Sequence, residues 1–130
     1  MEKNEQAIHQ QQIRFWLDYS DQLATSIRYG EALAAAERAL ALDETSVEAY
    51  YIRGTCLAML ARYDEALTDF NKTLQLDETY VPAWDGKAWV LGIMGKKEEA
   101  LIAITRALEL DPEYFEAVKR KKRLEAMETP

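Results

Sequence analysis

The sequence has one cysteine, Cys56, and one histidine, His9. A single cysteine excludes an internal disulfide framework and leaves no multi-cysteine metal site. Cys56 reads as a small packing residue. His9, in "AIHQQQ", has no ligands spaced around it and reads as a surface histidine. Long apolar runs are also missing. The longest, such as "WVLGIMG" at 89–95, are far too short to span a bilayer. The opening "MEKNEQAIHQQQ" lacks the apolar core of a secretory signal, so a cytoplasmic location is expected. Positive charge is scarce: 16 Lys and Arg stand against 23 Asp and Glu, for a net charge of −7. General nucleic-acid binding, which needs a basic surface, is therefore not expected. The exception is residues 115–130, which hold 5 basic residues against 3 acidic ones.

The marks of catalysis are absent too. "GIMGKK" at 92–97 lacks the spacing of a phosphate loop and the hydroxyl residue after its lysine. There is no nucleophile elbow and no paired histidine, so no catalytic residue, metal or cofactor is expected. The composition, 48% hydrophobic and 30% charged, is that of a folded chain and not of a disordered one.

What the sequence does contain is repetition. "ALALDETSVEAY" (39–50), "TLQLDETYVPAW" (73–84) and "ALELDPEYFEAV" (107–118) recur every 34 residues. This interval divides the chain into an N-terminal extension (1–12), units 13–46, 47–80 and 81–114, a segment 115–127 and a tail 128–130. Fourth in each unit is a large residue (Trp16, Tyr50, Trp84) and eighth a small one (Ser20, Gly54, Ala88). Leucine is eleventh (Leu23, Leu57, Leu91). Positions 4, 8 and 11 share one helix face. After "YGEAL", "YDEAL" or "KEEAL", with alanine twentieth (Ala32, Ala66, Ala100), a second segment shows helical spacing again, as in Leu67, Phe70 and Leu74. Each unit reads as two amphipathic helices joined by a tight turn. Helices approach closely only where a small side chain leaves room for a neighbour's bulk. One such hairpin cannot bury its apolar face alone, so stacking of successive copies is predicted. "LDETYVPAW" reads as the link between hairpins, with the turn at Asp77–Tyr80 and Pro82 in the next first turn.

At these residues the chain resembles the tetratricopeptide repeat family. The pattern is met by Trp16, Ser20 and Ala32; by Tyr50, Gly54, Ala66 and Phe70; and by Trp84, Ala88, Ala100 and Pro112. The resemblance covers 13–114 and implies an all-α solenoid of three helical hairpins. Departures mark the first unit, where Ala36 replaces the usual Phe and Phe15 or Tyr19 is expected to fill the gap. Arg53 and Lys87 replace a leucine and are expected to keep their heads in water. Lys122 falls on the small-residue position, so 115–127 is expected to be one capping helix. Nothing between Glu2 and Tyr29 breaks a helix, so the first helix is expected to run long.

Positions 2, 5, 6, 9 and 13 of each first helix lie on another face, which would be polar if merely solvated. It reads Arg14, Leu17, Asp18, Asp21, Thr25, then Glu48, Tyr51, Ile52, Thr55, Met59, then Pro82, Asp85, Gly86, Trp89, Ile93. The last two rows are too apolar for bare surface. The family resemblance implies that these positions line a concave groove for a partner peptide or helix. Packing between repeats is the other reading, above all for Leu17 and Ile52. Gly86 and Gly92 would let a partner backbone approach Trp89. Some members of the family hold acidic C-terminal tails with a cationic clamp. The matching positions here, Leu17, Asp21, Ile52, Pro82 and Gly86, carry no cation. Asp18, Asp21 and Asp85 favour a partner with basic residues. Lys119, Arg120 and Arg123 of "KRKKR" either border the groove or form a solvated helix end. The expected function is a protein–protein interaction scaffold. Two other readings stay open: a chaperone or assembly factor for one client, and a self-associating adaptor.

Overall fold

The structure, a computed structural model, describes residues 2–128. They form seven helices: α1 (Glu2–Thr25), α2 (Tyr29–Leu42), α3 (Val47–Met59), α4 (Tyr63–Leu76), α5 (Val81–Ile93), α6 (Lys97–Leu110) and α7 (Phe115–Ala126). The described residues include no strand. The result is an all-α solenoid of stacked hairpins, α1–α2, α3–α4 and α5–α6, followed by α7. Each first helix touches the next first helix and the preceding second helix. Contacts join α1 to α3, α3 to α5 and α5 to α7, while α2, α4 and α6 do not touch one another. The first helices therefore line the inner, concave side.

The links between hairpins follow from an aspartate. After Leu76, the Asp77 carboxylate accepts hydrogen bonds from the Thr79 amide at 3.0 Å and its hydroxyl at 2.6 Å. Asp43 holds Thr45 in the same way, at 2.9 and 2.6 Å. Asp111 holds the Glu113 amide at 3.1 Å. The short carboxylate competes for local backbone donors and ends the preceding helix. Pro82 sits in the first turn of α5, where its missing N–H is harmless.

The turns inside the hairpins are C-terminal caps of the Schellman type. Arg28, Arg62 and Lys96 donate their amides to Leu23, Leu57 and Leu91 at 2.9, 2.8 and 2.9 Å. The residue before each donor has positive φ: 61° at Ile27, 59° at Ala61 and 78° at Gly95. Glycine suits this conformation, whereas a β-branched residue is strained in it.

Alanines mark where helices meet. Ala32, Ala66 and Ala100 are fully buried within hairpins, and Ala49, Ala83 and Ala117 are fully buried between them. Ser20, at the close approach of α1 and α2, donates its buried hydroxyl to the Ala32 carbonyl at 2.6 Å. Phe70 is the wedge of the array. A Cβ added at Gly54 would lie 3.0 Å from its ring, and one added at Gly86 only 2.8 Å from two ring carbons. Phe70 thus fills both its own hairpin and the joint to the next.

Two expectations are corrected here. Phe15 and Tyr19 do not fill the space beside Ala36, being 58% and 40% exposed. The 34-residue register instead sets Ile52 at the joint where Gly86 faces Phe70, and both Ile52 and Ala36 belong to the core. A large residue on the following helix replaces one on the preceding helix. Arg53, moreover, does not hold its head in water. Its Nε and Nη2 donate to the two carboxylate oxygens of Asp69 at 2.8 and 2.9 Å, and the Asp69 side chain is 4% exposed. Lys87 lies with its ammonium 5.6 Å from the centre of the Trp84 ring.

Two outcomes are expected in denaturant titrations. Gly86→Ala should destabilise by about 1–3 kcal/mol through overpacking against Phe70, and Phe70→Leu should recover part of that loss. Ile27→Gly should stabilise by about 1 kcal/mol, the order of the left-handed penalty it relieves.

Candidate functional site

Along the concave side, α1, α3, α5 and α7 carry equivalent positions in register, some open and some buried between helices. Fifth come Leu17, Tyr51, Asp85 and Lys119; ninth come Asp21, Thr55, Trp89 and Arg123; thirteenth come Thr25, Met59, Ile93 and Met127. The thirteenth row carries exposed apolar side chains on two adjacent helices, Met59 at 44% and Ile93 at 48%, and at Met127, 37% exposed, which caps the end of α7 with extended backbone. Trp89 stands half-buried beside that row, and Thr55 is half-buried on the next helix.

Tyr51 is half-buried at the floor. Its ring centre lies 5.9 Å from that of Phe70 and 5.4 Å from that of Tyr80, so the groove wall and the Phe70 wedge form one continuous aromatic body. Burial raises the Tyr51 phenol above its ordinary value. It pushes Tyr80 up to about 12, and it raises Tyr114 in the same neighbourhood. All three lie where a phenolate would be poorly solvated.

Several residues expected in the groove stand elsewhere. Leu17 and Ile52 are buried in the core, at 3% and 9% exposure, because the faces for stacking and for the groove adjoin on each first helix. Gly86 is buried, and the space left by its missing side chain is taken by Phe70. Gly92 makes room for Leu124, whose Cδ2 would be 3.0 Å from an added Cβ. Neither glycine admits a partner backbone. Asp85 is buried as well and accepts from Arg120 Nε at 2.7 Å and Nη2 at 3.3 Å. This pair ties α7 to α5 and neutralises both charges, and the Arg120 guanidinium also lies 5.9 Å from the Trp89 ring centre.

The other charges divide by end. Asp18 is exposed and pairs with Arg14 at 2.9 Å. Arg14 also reaches across to Glu48 in a bidentate contact at 2.8 and 2.9 Å. Asp21, on α1, is exposed and makes no ion pair among the described residues. At the α7 end Lys119 is exposed with its ammonium 4.5 Å from the Phe115 ring centre. Arg123 is exposed there too, with no ion pair among the described residues. The ninth row thus runs from an acidic residue on α1, past Thr55 and Trp89, to a basic residue on α7.

Sequence reasoning missed Met127, Tyr80 and Tyr114. The signal was the period itself: Met127 falls 34 residues after Ile93, and Tyr114 falls 34 after Tyr80. The described residues hold no group of three or more His, Cys, Asp or Glu able to bind a metal. No helix among them is long and apolar enough to cross a membrane.

Residues 47–80 and 81–114 each match a sequence model of the tetratricopeptide repeat. No curated protein matches the chain. Among solved structures, the chain is similar to the second such domain of human RPAP3, determined in complex with the HSP70 peptide SGPTIEEVD. The TM-score is 0.83 and the identity 21%, over 92% of this chain and 99% of that one. It is also similar to the domain of Arabidopsis OM64, with TM-score 0.86 and 19% identity over 90% and 97% of the two chains. The Thermobaculum terrenum O-GlcNAc transferase contains a similar region. There the TM-score is 0.87 and the identity 22%, over 89% of this chain and 22% of the transferase.

The half-buried phenols make stability depend on alkaline pH. An unfolded tyrosine ionises near about 10, whereas Tyr80 in the fold does so only near about 12. The unfolded state loses its proton first, so this contribution is complete below about pH 10 and is lost as pH rises towards about 12. Urea denaturation across that range should show the decline, and Tyr80→Phe should make it shallower.

Proposed function

The chain belongs to the tetratricopeptide repeat family, and on that premise we propose that it is a protein-interaction module whose concave face holds an apolar segment of a partner protein. The observation that carries this reading is the pair Met59 and Ile93, exposed on the adjacent helices α3 and α5 near half-buried Trp89, with Met127 exposed just past the end of α7. A lone exposed apolar residue is ordinary, but exposed apolar residues at the same position of neighbouring helices on a concave side favour a ligand. Methionine suits such a surface, because its flexible, polarisable chain adapts to varied side chains.

Charge sets the orientation. Since Asp85 and Arg120 satisfy each other, the partner meets Asp21 at one end and Lys119 with Arg123 at the other. A segment with an apolar centre, a basic residue towards α1 and an acidic residue towards α7 fits best. An acidic tail held by a cationic clamp, or an acidic peptide such as the SGPTIEEVD seen with the RPAP3 domain, fits poorly. Of the positions that would clamp such a tail, Leu17, Ile52 and Gly86 are buried, Asp21 is acidic and Pro82 is uncharged.

The test is a crosslinked pull-down from native extract, comparing the wild type with Trp89→Ala and with Met59→Asp/Ile93→Asp. Circular dichroism should first show both variants folded. A partner captured by the wild type should be lost with either variant, with affinity falling by about 1–3 kcal/mol per anchor in a binding titration. Identical partners with all three proteins would remove the groove from consideration.

A further inference from the structure

The last helix, α7, carries a surface outside the rows of the groove. In each hairpin the eighth position of the first helix is small and buried, as Ser20, Gly54 and Ala88. On α7 that position is Lys122, which is exposed, and no second helix follows among the described residues. Phe115, Lys119 and Lys122 stand at i, i+4 and i+7, with Arg123 at i+8, so the four share one helix face. All four are exposed, Phe115 by 64%. The opposite face of α7 holds it to the array, through buried Ala117 and Leu124 and through the Arg120–Asp85 pair.

This face concentrates charge of the sign that the rest of the chain lacks. Residues 115–130 hold 5 basic against 3 acidic residues, and the 114 before them hold 11 against 20. The exposed arginines Arg14, Arg28 and Arg62 each meet a carboxylate at 2.9 Å or less. Lys119, Lys122 and Arg123 make no ion pair among the described residues, although Glu116 and Glu125 stand three positions from the two lysines. The aromatic member of the face is also distinctive. Half-buried Val47 and Val81 begin α3 and α5, where exposed Phe115 begins α7. The Lys119 ammonium lies 4.5 Å from the Phe115 ring centre, so cation and ring already stand together.

We propose that this face of α7 seats a short acidic segment of a partner protein, with carboxylates on Lys119, Lys122 and Arg123 and an apolar side chain on Phe115. Charge and extent select this occupant. A helix of 12 residues is about 18 Å long, the span of about six extended residues. Physiological salt screens repulsion of so short a segment by the acidic body beyond about 8 Å. A nucleic acid would instead carry its phosphates past α7 and along that body. An anionic membrane calls for a larger basic cluster or a broad apolar face, and this face has three exposed cations and one large apolar residue. The inference does not rest on the groove. Lys119 and Arg123 border both surfaces, whereas Phe115 and Lys122 belong to the outer face of α7 alone.

Fluorescence anisotropy on the full chain tests the proposal, with a labelled peptide of glutamate and aspartate residues around one central tryptophan. The wild type should bind it, and added salt should weaken binding. Lys119→Gln/Lys122→Gln should lower the affinity about tenfold, and Phe115→Ala about fivefold with the salt dependence unchanged. Lys122→Gln alone should give a smaller loss, a second reading should circular dichroism show the double variant unfolded. Met59→Asp/Ile93→Asp should bind the peptide as the wild type does. No binding, binding that survives the lysine substitutions, or binding lost in the groove variant would overturn the proposal. So would tighter, Lys122-dependent binding to phosphatidylserine vesicles or to single-stranded RNA, which would assign the face to a membrane or a nucleic acid. None of these outcomes touches the groove reading, which stands or falls with Trp89→Ala.

Discussion

The array depends on close approach between helices at small residues, and Phe70 shows how tightly that constraint binds. Its ring occupies the space left by Gly54 in its own hairpin and by Gly86 in the next. Stacking is therefore specified by volume: bulk on one helix requires a gap on the other. The joint before it meets the same requirement with the partners exchanged, Ala36 being small and Ile52 large. Because Tyr51 packs on Phe70, the packing that joins the hairpins also sets the floor of the groove.

Charge pairs that join a buried carboxylate to a part-exposed guanidinium are the second organising element. Arg53–Asp69 lies within a hairpin, and Asp85–Arg120 joins α7 to the last hairpin. A buried pair is weak support for stability in general, but breaking one leaves a charge without its partner and is costly. The register of α7 is therefore held by chemistry as well as by Ala117 and Leu124. Because Asp85 and Arg120 satisfy each other, the charges left exposed in the ninth row are Asp21 on α1 and Arg123 on α7.

The fold was legible because periodicity is a one-dimensional property. Three copies of the same spacing, each with alanine at the helix contacts and aspartate at the links, specify hairpins and turns without knowledge of long-range contacts. The candidate site was legible only in part. Met59, Ile93, Trp89 and Tyr51 stand on the concave side, while Leu17, Ile52, Gly86 and Asp85 are buried. On a helix, positions 5 and 6 are neighbours in sequence but lie about 100° apart. Which side of that boundary a residue occupies depends on the helix stacked against it. The glycines show the same limit: a gap is visible in the sequence, but not the side chain that fills it.

The amino-acid sequence by itself determined the unit length, the number of hairpins, the turn chemistry and the acidic balance of the body, since each is set by residues close together in the chain. Tertiary structure alone decided which polar groups neutralise one another, which gaps are already filled and which apolar faces stay open. Asp85 and Arg120 are 35 residues apart, and Phe15 is exposed because no helix among the described residues covers the face that carries it. Those outcomes depend on packing between units, where a side chain's surroundings are supplied by distant parts of the chain.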